Sequence, residues 1–463
     1  MTEKAEGTGL RLESYPLLEA LISRRSRRFA KGMSLNGGPL AYESEEAPEP
    51  LSLEEEAALA FAGCGVTGPT LAELPYEGGG KNEAGSGNII INLVGRTVAS
   101  AEAVHAAILF VMGDGGAWML KRPQDYPRAR IPDLVRMARE GRFTDLYEEA
   151  RIQVSDRRPD PPRELPFVLP FNKWSANVAG TTNFLPVAEI TGFYINFLLA
   201  AFSEEFSTFV ADERNGFKPA GIAKFARSEG GHLQDDPKAG RYITIGIVET
   251  SLYEFVAIEQ GGMLQNLALM GEALGLGGFP HFAAHPVAWF EALGFRMQDI
   301  PFSRTIGAGP VRKTVIRALG KDLPVPTAIG FERNGEALIK PYCPPYYRDM
   351  EEAVLAFLDY KYARGRGTLR DGGSSTSWKD GAGVQAGIPT FSDATIAATI
   401  AYCEYVHNRY GRFPANSGPF RTVLAHQAHR LDEDFYERFY KPEVLSSAQG
   451  YRWDGDQTQG GVE

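Results

Sequence analysis

The chain has 463 residues, 43% of them hydrophobic, and a formal net charge of −10 at pH 7. This length and composition predict a globular protein with one large buried core or two or three smaller ones. The acidic balance argues against a general binder of nucleic acid or of anionic membranes, because such proteins carry a net positive field. Cys64, Cys343 and Cys403 stand far apart and indicate neither a disulfide framework nor a thiolate metal site. Residues 1–13 lack the apolar core of a signal peptide, so we expect a cytoplasmic protein.

The first predicted element is a helix over residues 14–23, with Ser14 as its N-cap and apolar residues along one face. A basic run follows the helix, consisting of Arg24, Arg25, Arg27 and Arg28. Neighbouring cations repel one another. The run is therefore either a solvated surface patch or a site that an anion or carboxylates neutralise.

A second helix is predicted after the Gly-, Pro- and Glu-rich linker at residues 36–50. Ser52 and Glu55 form the sequence signature of a capping box, and the helix should end near Gly63 and Gly65. Next come a predicted mobile loop over residues 75–88 and a β-branched run over residues 89–98, which predicts a strand or an extended segment.

Three apolar stretches predict buried elements in the middle of the chain. Residues 184–202 are interrupted by polar side chains such as Glu189, which favours a buried helix over a membrane span. Residues 263–274 have helical spacing, and Gly275 should stop this helix in a Schellman motif before an extended, glycine-lined segment. Residues 324–331, bounded by Pro and Gly, predict a buried strand, and a helix should follow over residues 348–363.

A change of composition over residues 363–387, rich in Gly and Ser, predicts a flexible junction. We therefore divide the chain into a domain over residues 1–362 and a C-terminal extension of unknown role over residues 363–463. The extension contains one predicted helix, over residues 392–411, and a tail from about residue 446 whose composition is typical of disorder.

Four motifs carry a resemblance to a known family. They are, in chain order, RRSRRF at residues 24–29, RTVASAE at residues 96–102, QNLALMGEALGLGG at residues 265–278 and PVPTAIGF at residues 324–331. The ordered set resembles the FMN-dependent nitroreductase superfamily, and residues 51–68 are similar to its azoline-oxidising branch. The resemblance covers about residues 14–360. It implies an α+β fold in which a central, mainly antiparallel sheet is flanked by helices.

The resemblance also implies a flavin site. In the family the first motif binds the phosphate and ribityl chain of FMN, and the matching residues here are Arg24, Arg25, Ser26 and Arg28. Guanidinium groups suit the tetrahedral oxygens of a phosphate dianion. The backbone at Gly277 and Gly278 should lie beside the isoalloxazine, where an N–H donates to N5 or O4. A basic residue after the PVPTAIGF strand, Lys340 or Arg333, completes the phosphate site in this interpretation.

The RTVASAE segment departs from the family pattern. Ser100 matches a serine that contacts the flavin, commonly from the partner subunit, whereas Ala99 replaces a proline and Glu102 replaces a glycine. A carboxylate at position 102 is either a surface group or a catalytic base, and we favour a surface group. The catalytic residues themselves are not identified by the resemblance.

The implied function is that of an FMN-dependent oxidoreductase that transfers hydride through flavin N5. One alternative is an NAD(P)H-dependent reductase of a nitro compound, a quinone or a related acceptor. A second is a dehydrogenase or oxidase of a heterocycle or a peptide-derived substrate. A non-catalytic flavin-binding or scaffold protein is a third, from a different class. The partners expected are a small-molecule substrate and a second copy of the chain, forming a homodimer with FMN at the interface.

Two histidine pairs have a spacing that a helix could place on one face, namely His281 with His285 and His426 with His429. Neither pair has a complete set of ligands in the sequence nearby. Solvated or buried structural histidines are the favoured interpretation, and we expect no metal site.

Overall fold

The computed structural model describes residue 12 and residues 14–74, 86–281, 285–373 and 376–448. The helices are α1 (Leu17–Ser23), α2 (Leu53–Cys64), α3 (Ile131–Arg139), α4 (Phe143–Ala150), α5 (Thr191–Ala201), α6 (Ile245–Ala273), α7 (Pro286–Leu293), α8 (Phe302–Thr305), α9 (Pro310–Ala318), α10 (Met350–Tyr362), α11 (Gly381–Gly387), α12 (Asp393–Tyr410) and α13 (Glu433–Phe439).

The strands range from two residues in β1 to ten in β14. They are β1 (Ser34–Leu35), β2 (Tyr42–Glu43), β3 (Val66–Pro69), β4 (Val94–Arg96), β5 (Ala107–Gly113), β6 (Gly116–Leu120), β7 (Arg151–Ser155), β8 (Thr181–Glu189), β9 (Phe209–Asp212), β10 (Lys218–Pro219), β11 (Tyr242–Thr244), β12 (Gly277–His281), β13 (Arg296–Pro301), β14 (Pro324–Arg333), β15 (Glu336–Ile339), β16 (Phe420–Arg421) and β17 (Ala425–His429).

The main sheet has seven strands in the order β12-β17-β8-β5-β6-β7, with β16 also paired to β8. All of its strand pairs are antiparallel. Strand β5 is buried at all seven positions, because alternate side chains enter different cores: Leu109 and Val111 lie in the core that includes α6, and Ile108 and Phe110 pack against the side of α7 and β14. The predicted α+β class with an antiparallel sheet flanked by helices is confirmed.

Local sequence signals predicted several helix ends correctly. The capping box of Ser52 and Glu55 is formed at the start of α2, which ends at Cys64 with Gly65 as C-cap. The helix predicted over residues 348–363 is α10, and the one over residues 392–411 is α12 with Ser392 as N-cap. Helix α1 begins at Leu17 rather than Ser14, and Pro16 occupies its N-cap.

The helix predicted over residues 263–274 is the C-terminal part of the 29-residue helix α6. It ends in the predicted Schellman motif. Leu276 N–H donates to Gly271 O at 2.9 Å and Gly275 N–H donates to Glu272 O at 3.0 Å, with Gly275 at φ 72°. Strand β12 begins two residues later, so the helix end fixes where the glycine-lined strand starts.

The prediction for residues 184–202 was wrong. It was predicted as one buried helix, but it forms most of strand β8 and then helix α5. Both elements are buried, so neither shows the periodicity that separates a strand from a helix, and an apolar run of this kind is ambiguous in the sequence. The run over residues 89–98 is likewise only partly a strand, since β4 covers Val94–Arg96.

Residues 363–448 do not form a separate layer. Strand β17 lies between β12 and β8 in the main sheet, and α12 contributes fully buried side chains such as Tyr402 and Tyr410 to the largest core. Helix α11 lies within the predicted junction, where Leu369 is also fully buried. The extension and the predicted FMN-binding domain therefore share one sheet and one core.

No helix in the described ranges is long and apolar enough to cross a membrane. Residues 75–85 of the predicted mobile loop and residues 449–463 of the predicted disordered tail lie outside the described residues.

Candidate functional site

A pocket lies where the end of α1, the end of α6 and the start of β12 meet. The space inside it is small, about 10 Å³. The residues that line it are Arg24, Arg25, Ala268, Gly271, Glu272, Leu276, Gly277, Gly278, Pro280 and His426. The structure thus brings together four of the residues predicted to bind the cofactor, namely Arg24, Arg25, Gly277 and Gly278.

Two features hold the pocket in place. The Schellman end of α6 directs the chain into β12, and β12 pairs with β17 over its full length. On the other side of β12, Arg27 forms an isolated antiparallel bridge with Gly278. Gly278 N–H donates to Arg27 O at 2.9 Å, which holds the segment after α1 against the glycine strand.

The two arginines in the pocket have different surroundings. Arg24 is half-buried, and its guanidinium forms no ion pair with a described residue. Arg25 is exposed, and its Nη1 donates to Ile22 O at 2.7 Å and to Arg24 O at 3.1 Å. Arg25 therefore also caps carbonyls at the C-terminal end of α1, where a cation is favourable.

Arg27 has its counterion within the protein. Its Nη1 lies 2.6 Å from Glu272 Oε2, and both side chains are almost fully buried. Nε of Arg27 donates to Val444 O at 2.7 Å. The basic run of the sequence is therefore divided: Arg27 is neutralised inside the fold, and Arg24 and Arg25 face the pocket.

The predicted residues Ser26 and Arg28 do not line the pocket. Ser26 is exposed. Arg28 Nη2 donates to Asn172 Oδ1 at 2.7 Å and Ser175 Oγ at 2.9 Å, and its guanidinium lies 4.5 Å from the ring centre of Phe279. The charge of Arg28 is thus held by polar and aromatic groups of the protein.

The glycines of β12 are required by their packing. A Cβ at Gly277 would lie 2.4 Å from Leu431 Cδ2 and 2.7 Å from His429 Nε2, and a Cβ at Gly278 would lie 2.9 Å from His426 Nε2. A flavin-binding backbone N–H was predicted at Gly277 and Gly278. The N–H of Gly278 already donates to Arg27 O, so it is not available to a flavin.

Three buried histidines, His281, His426 and His429, surround this part of the sheet, and none of them was among the predicted site residues. Burial lowers the pKa of His281 to about 3, that of His426 to about 3 and that of His429 to about 4. The charge of Arg24 also acts on His426 in the same direction. All three imidazoles are therefore neutral at pH 7.

His281, His426 and His429 lie on strands. The helical spacing considered for the two histidine pairs therefore does not apply to them. His426 and His429 are three residues apart on β17, and an odd separation places side chains on opposite faces of a strand. His281 ends β12. Among the residues that the structure describes, no group of His, Cys, Asp or Glu could hold a metal ion.

Ser100 is far from the arginines within one chain. Its Oγ donates to Glu259 Oε2 at 2.7 Å, and Glu259 also forms a buried ion pair with Arg96. Glu259 and Glu272 are both on α6, 13 residues apart, which corresponds to about 20 Å along a helix. The chain by itself does not bring Ser100 to the pocket.

Glu102 is not the surface carboxylate that the sequence analysis favoured. Its Oε2 accepts a hydrogen bond from Asn196 Nδ2 at 2.6 Å, and burial raises its pKa to about 7. The residue has φ 56°, a conformation that glycine adopts at little cost. The hydrogen bond from Asn196 and the raised pKa place the carboxylate inside the protein.

Lys340 and Arg333 lie elsewhere. Lys340 is exposed, its Nζ is 4.1 Å from the ring centre of Tyr347, and it borders a different cavity. Arg333 Nε donates to Val154 O at 2.9 Å. Neither side chain contributes to the pocket at α1.

Comparisons with known proteins add little to this geometry. No protein-family model matches the sequence, and no curated protein sequence matches it. A solved structure of a "putative nitroreductase" from Ralstonia eutropha JMP134 is similar at 15% sequence identity with a TM-score of 0.28, and the match covers 64% of this chain and 81% of that chain.

Proposed function

We propose that the protein is an FMN-dependent oxidoreductase and that Arg24 and Arg25 bind the phosphate of FMN. The observation that carries this proposal is the distribution of charge around the pocket at α1. Glu272 is the one carboxylate among the described residues that line the pocket, and it is already paired with Arg27. The positive charge of Arg24 and Arg25 therefore remains for an anion from outside the chain.

The pocket is shallow. The space inside it is about 10 Å³, roughly the room for one water molecule. In this proposal the phosphate therefore binds at the mouth of the pocket, beside Arg24 and Arg25, and the flavin ring lies outside it. The neutral His426 adds no charge there, and its buried Nδ1 has no partner among the described residues.

FMN, when bound, supplies two-electron chemistry by hydride transfer at its N5. The chain's own contribution is to bind and to orient. Arg24 and Arg25 hold the phosphate, and the backbone of β12, which is tied to Arg27 and to β17, provides a rigid wall beside it. Catalysis on such a scaffold rests mainly on orientation of the substrate and exclusion of water.

We further infer that the functional unit is a homodimer with FMN at its interface. The apolar face of α1 is uncovered in one chain, where Leu17, Leu18, Leu21 and Ile22 are 52–67% exposed. Phe255 and Ile258 of α6 are also exposed. An apolar surface of this kind next to an incomplete pocket is what a second copy would cover.

The visible absorption spectrum of the purified protein tests cofactor binding directly. We expect a flavin spectrum that is retained through gel filtration and lost in the double variant Arg24→Ala, Arg25→Ala. The matched control is Arg312→Ala, Arg364→Ala, which removes the same charge from exposed positions and should keep the flavin. A protein that does not bind added FMN, or a double variant that retains it fully, contradicts the proposal.

Anaerobic mixing with NADPH or NADH then separates the two kinds of chemistry. Rapid bleaching of the flavin absorbance identifies a reductase of nitro compounds, quinones or related acceptors. A flavin that is bleached only by an oxidisable organic substrate identifies a dehydrogenase or oxidase. A flavin that no reductant bleaches would overturn the assignment as an enzyme and favour a binding protein.

The dimer is tested by sedimentation velocity. The wild-type protein should sediment as a dimer, and Leu18→Asp with Ile22→Asp should convert it to a monomer and weaken FMN retention. A monomeric wild-type protein that retains FMN would contradict the interface proposal while leaving the phosphate site intact.

A further inference from the structure

The connection between β13 and β14 is a short helical excursion over residues 302–323, which contains α8 and α9. Hydrogen bonds close its base. Phe302 N–H donates to Leu323 O at 2.9 Å. The N–H and the Oγ of Ser303 donate to the carboxylate of Asp322 at 2.7 and 3.0 Å. These bonds fix both ends of the excursion, so α9 is held in a defined position on the surface.

Helix α9 turns an apolar face to solvent. None of its nine residues is buried. Val311, Val315 and Leu319 follow at a four-residue spacing, which places them on one face of the helix, and they are 80, 51 and 67% exposed. Leu323, shortly after the helix, is 62% exposed. Helices of globular proteins bury such a stripe against the core, so an uncovered stripe indicates a surface that another body covers.

The same segment is basic, although the chain as a whole is acidic. Residues 302–323 contain five basic residues and one acidic residue, a net charge of +4 in a chain of −10. The acidic residue, Asp322, is already paired with Arg317 at 3.1 Å. The described chain therefore supplies no carboxylate within ion-pair distance to the four other cations, which are Arg304, Arg312, Lys313 and Lys321.

Charge and shape together select what covers this surface. In a twofold dimer the same patch of both copies meets, so the basic residues of two α9 helices would face one another at a cost in free energy. A protein groove that encloses a helix needs access to all of its sides, but Lys313 and Ile316, away from the apolar stripe, are half-buried. A flat anionic surface meets only the exposed side of α9.

We propose that α9 binds the surface of a membrane that contains anionic phospholipid. Val311, Val315 and Leu319 enter the boundary between headgroups and acyl chains, and the basic residues lie at the level of the lipid phosphates. The net negative charge of the chain does not prevent this contact, because at an ionic strength of about 0.1 M charges act over only about 10 Å. The inference stands on a different surface from the proposed flavin site and does not depend on it.

Co-sedimentation of the full-length protein with vesicles tests the proposal. One set of vesicles is phosphatidylcholine alone, and the other is an equimolar mixture of phosphatidylcholine and phosphatidylserine. The wild-type protein should bind the anionic vesicles at least about tenfold more strongly than the neutral ones. This preference should fall when NaCl is raised from about 0.1 M to about 0.5 M. Absence of binding to the anionic vesicles, or equal binding to both kinds, overturns the proposal.

The apolar stripe is tested by Val315→Asp with Leu319→Asp. Both positions are exposed, so the fold should be kept, and binding to the anionic vesicles should weaken at least about tenfold. The matched control is Leu71→Asp with Leu355→Asp, which changes leucines that are 64 and 47% exposed elsewhere and should leave binding unchanged. A stripe variant that binds as tightly as its control contradicts the proposal.

The basic residues are tested in the same way. Arg312→Gln with Lys321→Gln removes two exposed charges beside the stripe and should weaken binding to the anionic vesicles at least about tenfold. Arg139→Gln with Lys379→Gln removes two exposed charges elsewhere and should leave binding unchanged. Equal losses in the two variants would show that only the total charge matters and would overturn the assignment to α9.

Two further measurements separate α9 from the other surfaces. The Arg24→Ala, Arg25→Ala protein should bind the vesicles as the wild type does, since the proposed phosphate site is not involved. Sedimentation velocity without lipid should give the same oligomeric state for the wild type and for Val315→Asp with Leu319→Asp. A change to a smaller species in that variant would identify a second copy of the chain as the body that covers the stripe, and would overturn the proposal.

Discussion

Arg24 at the end of α1 and Lys361 of α10 are both positive charges that form no ion pair with a carboxylate of the described chain. Lys361 is fully buried. Its ammonium donates to Asn88 O and to Asn196 Oδ1, and Asn196 donates in turn to Glu102. Arg24 instead stands at the edge of an open pocket and pairs with no carboxylate of the described chain.

The difference separates a cation that is matched by groups inside the fold from a cation that remains at a pocket without a counterion among the described residues. A buried charge must be matched by groups of the protein, because desolvation is costly. A charge at a pocket remains hydrated until a ligand replaces the water. Arg27 and Arg24 are three residues apart and fall on opposite sides of this division, so charge in the sequence does not by itself indicate function.

The largest expected effect on stability concerns the buried cation Arg27 and its counterion Glu272. Glu272→Ala leaves Arg27 buried without its counterion, and the free energy of unfolding should fall by about 3–5 kcal/mol. Arg25→Ala, at an exposed position nearby, should change it by no more than about 0.5 kcal/mol. Urea denaturation monitored by circular dichroism measures both. Equal effects would show that the two cations are not distinguished by burial.

The network of Lys361 should respond to the loss of its central amide. Asn196→Ala removes the hydrogen bonds to Lys361 and to Glu102 and should lower the free energy of unfolding by about 2–3 kcal/mol, since both charged groups lose a partner. The exposed Asn36→Ala serves as the control and should lie within about 0.5 kcal/mol of wild type. An Asn196 variant as stable as its control would show that water or a rearranged chain replaces the amide.

The buried histidines near the pocket predict a pH dependence. The pKa of His426 is about 3 in the folded protein, below its usual value of 6.5. The unfolded chain therefore binds more protons between these values, and stability must rise with pH across this window and fall on acidification. Replacing His426 with Gln should make that slope shallower by about 1.4 kcal/mol per pH unit.

Urea denaturation of both proteins at several pH values between about 4 and 6.5 checks this expectation. Identical slopes would mean that His426 is protonated in the folded state or is hydrated there. The raised pKa of Glu102, about 7, acts with the opposite sign in the window above 4.5, so the comparison must be made between variants and not on the wild-type curve alone.

Local chemistry made part of the fold predictable. The capping box of α2, the Schellman end of α6 and the N-cap of α12 depend on residues within one or two turns, and each was identified from its pattern. The extended segment after Gly275, which is β12, was also predicted because the residues at the end of α6 fix where it starts. Where only buried hydrophobic residues were available, as in β8 and α5, the sequence did not distinguish strand from helix.

Long-range pairing was not predictable. Nothing in the residues around His426 indicates that β17 inserts between β12 and β8, because strand order depends on partners more than 100 residues away. The same limit applied to the site. Arg24, Arg25, Gly277 and Gly278 were predicted by resemblance and line one pocket, and their role stays a prediction. The pairing of Arg27 with Glu272 and the three neutral histidines depend on contacts between distant segments.

The smallest expected effect sharpens the contrast between the glycines of the pocket wall and those of the open helix surface. Gly277→Ala places a methyl group 2.4 Å from Leu431 Cδ2, and such overpacking should lower the free energy of unfolding by about 1–3 kcal/mol. A Cβ at Gly261 of α6 meets nothing within 4 Å, so Gly261→Ala should raise it by about 0.5–1 kcal/mol through helix propensity. If urea denaturation instead shows Gly277→Ala to be neutral, β12 can move away from β17, and the wall proposed to position the flavin is not rigid.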